Sequence, residues 1–164
     1  MRHIISILLQ NEAGALARVA GLFSTRGYNI ESLNVAPTDD PTVSRLTLVT
    51  TGTDAVIHQI VNQLLKLVDV VNVDDMTRDQ HVERELLLMK IALSPAQIEP
   101  FKAASAQAGA KVLHDDSASY TVELTDSEAQ INRFIATAGA YGEVLEVVRS
   151  GALAISRGAA TLHG

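Results

Sequence analysis

Apolar positions along the first half of the chain switch between a period of two and a period of about 3.6. Arg2–Gln10 (RHIISILLQ) is a dense Ile/Leu run, too short for a helix, and predicts a buried strand. After the polar loop Asn11–Gly14, Leu16, Val19, Ala20, Leu22 and Phe23 recur at helical spacing and predict a helix over Ala15–Arg26. Gly27 follows where a left-handed C-terminal position suits glycine. Ile30–Pro37 and Thr42–Thr51 alternate as strands on either side of the turn Asp39–Asp40–Pro41. Val56, Ile57, Ile60, Val61, Leu64 and Leu65 form the stripe of a helix over Asp54–Lys66, and Val68–Val73 closes as a strand. The predicted order is β-α-β-β-α-β.

The order then repeats. Met76–His81 (MTRDQH) has no apolar period and predicts a linker. Val82–Leu93 begins polar and becomes an apolar strand. Ser94–Pro95 has the chemistry of an N-cap followed by proline at the first helical position. Gln97–Ala108 predicts an alanine-rich helix ended by Gly109, with a kink expected at Pro100. Lys111–His114 and Ser119–Leu124 predict strands around a turn at Asp115–Ser117. Asp126–Ala138 predicts a helix with Ile131, Phe134 and Ile135 inward, and Gly142–Val148 the last strand. The expected organisation is a first domain over 1–76, a linker over 77–81, a second domain over 82–150 and a Gly/Ala/Ser-rich tail over 151–164. The fold class is α+β: two ferredoxin-like βαββαβ domains in tandem, each an antiparallel sheet with two helices on one face. Arg2–Gln10 carries apolar residues on both faces, Ile4 and Leu8 on one, Ile5, Ile7 and Leu9 on the other. The sheet side away from the helices therefore needs a cover. Units of about 75–80 residues bury only some 60% of their surface, so pairing with a second copy through a sheet edge or face is the expected remedy.

Composition narrows the chemistry. The 164 residues are 47% apolar, which argues against wholesale disorder. With no cysteine, disulfide scaffolds, thiolate metal sites and cysteine nucleophiles are excluded. A net charge of −6 argues against a general nucleic-acid binder, and neither of the two expected central strands of the first domain carries the aromatics on which RNA-recognition modules stack bases. No apolar run approaches the roughly 20 residues of a membrane span, and no export segment is visible, so a cytoplasmic location is expected. His3, His58, His81, His114 and His163 are scattered without metal-ligand spacing. No nucleophile elbow or phosphate loop exists. Asp39–Asp40, bracketed by Pro37 and Pro41, reads as a solvated turn rather than a pair of catalytic carboxylates. Glu83–Arg84–Glu85 reads as a solvated or intersubunit ion-pair face. No catalytic residue is expected.

Two polar segments remain. In Gln10–Leu16 (QNEAGAL) a strand gives way through a glycine loop to a helix, whose N-terminal N–H groups and positive potential suit a carboxylate. Asn11 offers donors and an acceptor, as a zwitterion requires. Equally, Asn11 or Glu12 can serve as the helix cap, with Gly14 as a tight turn. In Gly27–Ile30, Asn29 is an amide with no capping role before an apolar strand; it satisfies the turn or faces a ligand across an interface.

The same residues carry a family resemblance. NEAGALARVAGLFSTRGYNIESLNVAPTDDP resembles the ACT domain of the small, regulatory subunits of acetohydroxyacid synthase (acetolactate synthase), most specifically in RGYNIESL and APTDDPTVSRLT. The likeness continues through LVDVVNVDDMT and HVERELLLMKI and, more loosely, to EVVRSG near the C-terminus. The resemblance implies a chain without chemistry of its own. It implies a separate catalytic large subunit using thiamine diphosphate, FAD and magnesium, none of which this chain binds. That subunit is expected to be activated by the chain and made sensitive to valine. The resemblance further implies a homodimer through the ACT sheets, with effector sites between chains. Asn11, Gly14, Ala15 and Leu16 then form one wall and Asn29 and Ile30 the other. Pocket size discriminates weakly, about 1–3 kcal/mol per methylene, so leucine and isoleucine are possible effectors. A stand-alone amino-acid sensor without an enzyme partner is the alternative.

Overall fold

A computed structural model describes residues 1–163. The chain separates into two compact units: Met1–Val82 together with the residues from Ala152 onward, and Glu83–Gly151.

The first unit contains β1 (Arg2–Gln10), α1 (Ala15–Thr25), β2 (Ile30–Pro37), β3 (Val43–Thr51), α2 (Asp54–Leu65) and β4 (Val70–Asp75). The sheet order is β2-β3-β1-β4, antiparallel throughout. Ile5 faces Leu48 and Ile7 faces Leu46 across β1 and β3, so one sheet face presents a continuous aliphatic surface. Val19 and Phe23 of α1 and Ile57, Ile60 and Leu64 of α2 pack onto it. Thr53 caps α2, accepting from the Val56 N–H at 3.3 Å. Gly27, at φ +73°, ends the α1 turn so that the Tyr28 N–H reaches back to the Phe23 carbonyl at 2.9 Å.

The other face of this sheet is covered by the chain's own C-terminal segment. Ala152 and Ala154 are buried in a second apolar cluster with Ile4, Val49 and Met76. The segment includes a short strand, β9 (Leu153–Ser156), which pairs with β5 (His81–Ala92). The Arg157 N–H bonds the Gln80 carbonyl at 3.0 Å. Arg45 donates to the Ala154 carbonyl at 2.8 Å and to Ser6 Oγ at 3.1 Å, and Asn34 Nδ2 donates to the Ala152 carbonyl at 3.3 Å. Burial lowers the pKa of the Arg45 guanidinium. Burial likewise raises Asp74 above the usual carboxylate range, with Asp79 and Asp75 adding to the effect and Arg45 opposing it. The double-sided apolar pattern of β1 thus finds a cover within the same chain.

The second unit holds most of β5, then α3 (Pro95–Ala108), β6 (Lys111–Asp115), β7 (Tyr120–Asp126), α4 (Glu128–Ala138) and β8 (Glu143–Arg149). Its strand order β6-β7-β5-β8 repeats that of the first unit. Leu87, Met89 and Ile91 of β5 and Val122 and Leu124 of β7 face Phe101, Ile131 and Phe134. Glu85 is buried and paired with Arg149, Oε1 to Nε at 2.6 Å, rather than lying on a solvated face. That hydrogen bond raises the Arg149 pKa further.

The expected kink at Pro100 does not interrupt α3, which is helical from Pro95 to Ala108. Pro100 is exposed, and so is Ala96, the residue whose carbonyl a proline at this position cannot hydrogen-bond. Ser94 occupies the N-cap position, but its side chain accepts no hydrogen bond there.

Candidate functional site

The loop before α1 is built on a left-handed glycine. Gly14 is the N-cap at φ +86°, and no side chain caps the helix. The capping alternative for Asn11 and Glu12 is therefore not what the structure uses. Asn11 Nδ2 instead donates to the Pro41 carbonyl at 2.9 Å, while its backbone N–H bonds the Thr42 carbonyl at 2.8 Å. One of the two amide N–H donors is thereby committed, and the second donor and Oδ1 remain for another partner. Ala15 is buried, and Leu16 is 39% exposed at the loop's rim. No acidic residue occupies the first turn of α1, whereas α2 and α4 carry Asp54 and Glu128 there. Within its first turn α1 therefore has no carboxylate to offset the positive potential of its N-terminus, although Glu12 lies just ahead of the N-cap.

Sequence reasoning passed over Arg18. Its Nε pairs with the carboxylate of Asp69, which is buried, while the Arg18 side chain stays half exposed. The hydrogen bond to Asp69 raises its pKa further. The guanidinium lies over Gly14: a Cβ added there would meet Arg18 Nη1 at 2.9 Å. A second cationic group thus stands beside the helix N-terminus. The signal was weak, because Arg18 reads as an ordinary exposed helix position and Asp69 as a loop acid 51 residues away.

Asn29 and Ile30 lie at the opposite end of the sheet. Asn29 is exposed, and its carbonyl accepts from Thr50 Oγ1 at 2.6 Å. Ile30 is half buried against the core and faces Thr50. The loop at residues 11–14 follows Gln10, which faces Val43. Val43 and Thr50 are seven residues apart on β3, roughly 23 Å at 3.3 Å per residue. Within one chain the two expected walls do not meet.

Comparison with known proteins decides the family. The profile described as "AHAS small subunit-like ACT domain" matches residues 5–72, and that described as "Small subunit of acetolactate synthase" matches residues 84–158. The acetolactate synthase isozyme 3 small subunit of Escherichia coli is 46% identical over 158 residues, covering 96% of this chain and 97% of its own. The chain belongs to the acetolactate synthase small-subunit family. A probable acetolactate synthase small subunit from Archaeoglobus fulgidus is 37% identical over 158 residues, covering 96% of this chain and 98% of its own. The crystal structure of the acetolactate synthase small subunit from Thermotoga maritima superposes with a TM-score of 0.86 at 31% identity, covering 98% of this chain and 99% of that one.

The other polar candidates in this family member are structural. Asp40 Oδ1 accepts from the Thr42 N–H and hydroxyl at 2.9 and 2.7 Å, which closes the turn and lowers the Asp40 pKa. His3 is buried between Asp75, at 3.0 Å, and Asp54, at 3.4 Å. Among the described residues no group of three or more His, Cys, Asp or Glu is placed to hold a metal ion. Among them, too, no helix is long and apolar enough to cross a membrane.

Proposed function

We propose that the chain is the regulatory subunit of an acetolactate synthase. In this reading it activates a separate thiamine-diphosphate-dependent catalytic subunit, which carries the FAD and magnesium, and it makes that subunit sensitive to feedback by valine in branched-chain amino-acid synthesis. The observation that carries the effector reading is the separation of two complementary half-sites at opposite ends of one sheet. One half-site offers free helix N–H groups, Arg18 and Leu16; the other offers the exposed Asn29 amide and Ile30. β2 is an edge strand with one charged residue, Glu31, whereas the other edge, β4, carries Asp74 and Asp75. β2 is therefore the edge less protected against pairing. Antiparallel pairing of two β2 strands about their midpoint sets Ile30 of one chain beside Pro37 of the other. Asn11 is tied to Pro41 at that same end. A two-fold dimer through β2 thus brings each Asn29–Ile30 next to the partner's Asn11–Leu16 loop.

Valine fits what such a pocket offers. Its carboxylate meets the α1 N-terminus and Arg18, its ammonium meets the asparagine carbonyl oxygens, and its isopropyl group lies between Leu16 and Ile30. A ligand shared between chains regulates because its affinity differs between arrangements of the dimer; typical couplings are about 1–3 kcal/mol. Calorimetry with valine on the whole chain tests the site. Asn29→Ala should weaken binding by about tenfold, the loss of one hydrogen-bonded polar contact. Unchanged affinity in that variant would refute the assignment of Asn29.

A further inference from the structure

The groove between paired helices differs between the two units. In the first unit Leu22, Tyr28 and Ile60 help close it to about 10 Å³, room for a single water. In the second unit the groove between α3 and α4 holds a cavity of about 110 Å³. Ala104 and Ala108 form its α3 side, and the buried Leu124 and Phe134 its apolar floor. Asp126, at the end of β7, and Arg133, on α4, supply opposite charges to the same cavity. Gln130 and Thr137 lie on the same α4 face as Arg133.

The two charges do not neutralise each other. Asp126 Oδ1 accepts from the Ser127 N–H at 2.7 Å, which leaves its second oxygen available. Among the described residues Arg133 makes no ion pair. From the N-cap, Ser127, to Arg133 the helix rises roughly 9 Å at 1.5 Å per residue, too far for a direct pair at its base but a span that a small molecule with two charges can bridge. A 150 Å³ apolar cavity admits benzene, so this smaller one fits a short aliphatic group and not an aromatic ring.

We propose that this cavity is a second small-ligand site, specific for a zwitterionic α-amino acid with a short side chain. The ammonium group lies at Asp126 and the carboxylate at Arg133. The side chain rests on Leu124 and Phe134, in the space that Ala104 and Ala108 leave. This site stands apart from the proposed valine pocket and does not depend on it.

Amide NMR spectra of the full-length chain, titrated with alanine, test the proposal. Propionate, which lacks the ammonium, ethylamine, which lacks the carboxylate, and phenylalanine, which is too large, run in parallel. Alanine should shift the amides of Ala104, Ala108, Gln130 and Thr137, and the three controls should not. Arg133 is exposed, so Arg133→Gln keeps the fold; it should weaken the alanine response tenfold or more. Ala104→Leu should fill the cavity and abolish the response. Asn29→Ala should leave it intact, which separates this site from the valine pocket. The proposal is overturned by absence of shifts on α3 and α4 up to tens of millimolar alanine. An equal response to propionate, or Arg133→Gln binding as the parent does, overturns it as well.

Discussion

Replacing Gly14 by alanine probes the loop at the start of α1, and the structure separates its cost into two parts. The first is conformational. At φ +86° an L-residue is in the left-handed region, which costs about 1–2 kcal/mol. The second is steric. The new Cβ would sit 2.9 Å from Arg18 Nη1, closer than real contacts allow. That atom is the end of a flexible side chain, so Arg18 moves rather than the backbone. Driving it off its preferred rotamer costs roughly 0.5–1.5 kcal/mol and takes it from Asp69. Gly27→Ala is the internal control, because φ there is +73° and nothing lies within 4 Å of the added atom. It should show the conformational cost alone. For a chain of this size 1 kcal/mol shifts Tm by about 2–4 °C, so Gly14→Ala should melt roughly 1–6 °C below Gly27→Ala. Thermal melts followed by circular dichroism measure this. In an Arg18→Ala background the excess should vanish, as a double-mutant cycle requires for a pairwise effect. Equal melting of the two glycine variants, or an excess that persists without Arg18, would refute the reasoning.

Two further perturbations test the packing of each unit. A Cβ at Gly142 would overlap the carbonyl oxygen of Ala92, which is backbone and cannot turn aside, and would stand 3.0 Å from Leu93 Cδ2. Gly142→Ala should therefore cost the top of the usual 1–3 kcal/mol overpacking range or more by urea denaturation, while Gly139→Ala, with ordinary contacts and φ −60°, should be neutral or slightly stabilising. Ending the chain after Gly151 removes Ala152 and Ala154 from the cluster with Ile4, Val49 and Met76 and leaves Arg45 without its carbonyl partner. The truncated chain should bind a hydrophobic dye and melt earlier, and a truncated chain with the parent's melt and no dye binding would show that the segment is not a cover.

Most of the fold was legible because local pattern and tertiary structure agree. Arg2–Gln10 and Ile30–Pro37 read as strands with the ends the structure shows, since polar or turn residues bound an apolar run at both places. β4 was displaced, expected over Val68–Val73 but found over Val70–Asp75. Val68 is 89% exposed, and the strand continues into Asp74 and Asp75, whose charges hide it from an apolar pattern. β9 was missed altogether. Of its four residues only the small Ala154 is buried, while Leu153 and Ile155 are exposed, so the segment offers too short an apolar pattern to read as a strand and its large residues point away from the core. The candidate site was legible only in its glycines and amides. Asn29 stood out as an amide without a capping role and Asn11 as either a helix cap or a ligand contact, but no sequence pattern shows that they end up at opposite ends of one sheet. Arg18 was hidden because its partner, Asp69, is distant along the chain.

The most direct test is reconstitution. The purified catalytic subunit of the same organism's acetolactate synthase, with thiamine diphosphate, FAD and magnesium, is assayed on pyruvate alone and with increasing amounts of this chain, and the mixture is then titrated with valine. Turnover should rise when the chain is added, inhibition by valine should appear only in its presence, and Asn29→Ala should relieve that inhibition with the activation kept. Turnover and valine response unaffected by the chain, with valine still binding to it, would contradict the account and mark the chain as a stand-alone amino-acid sensor.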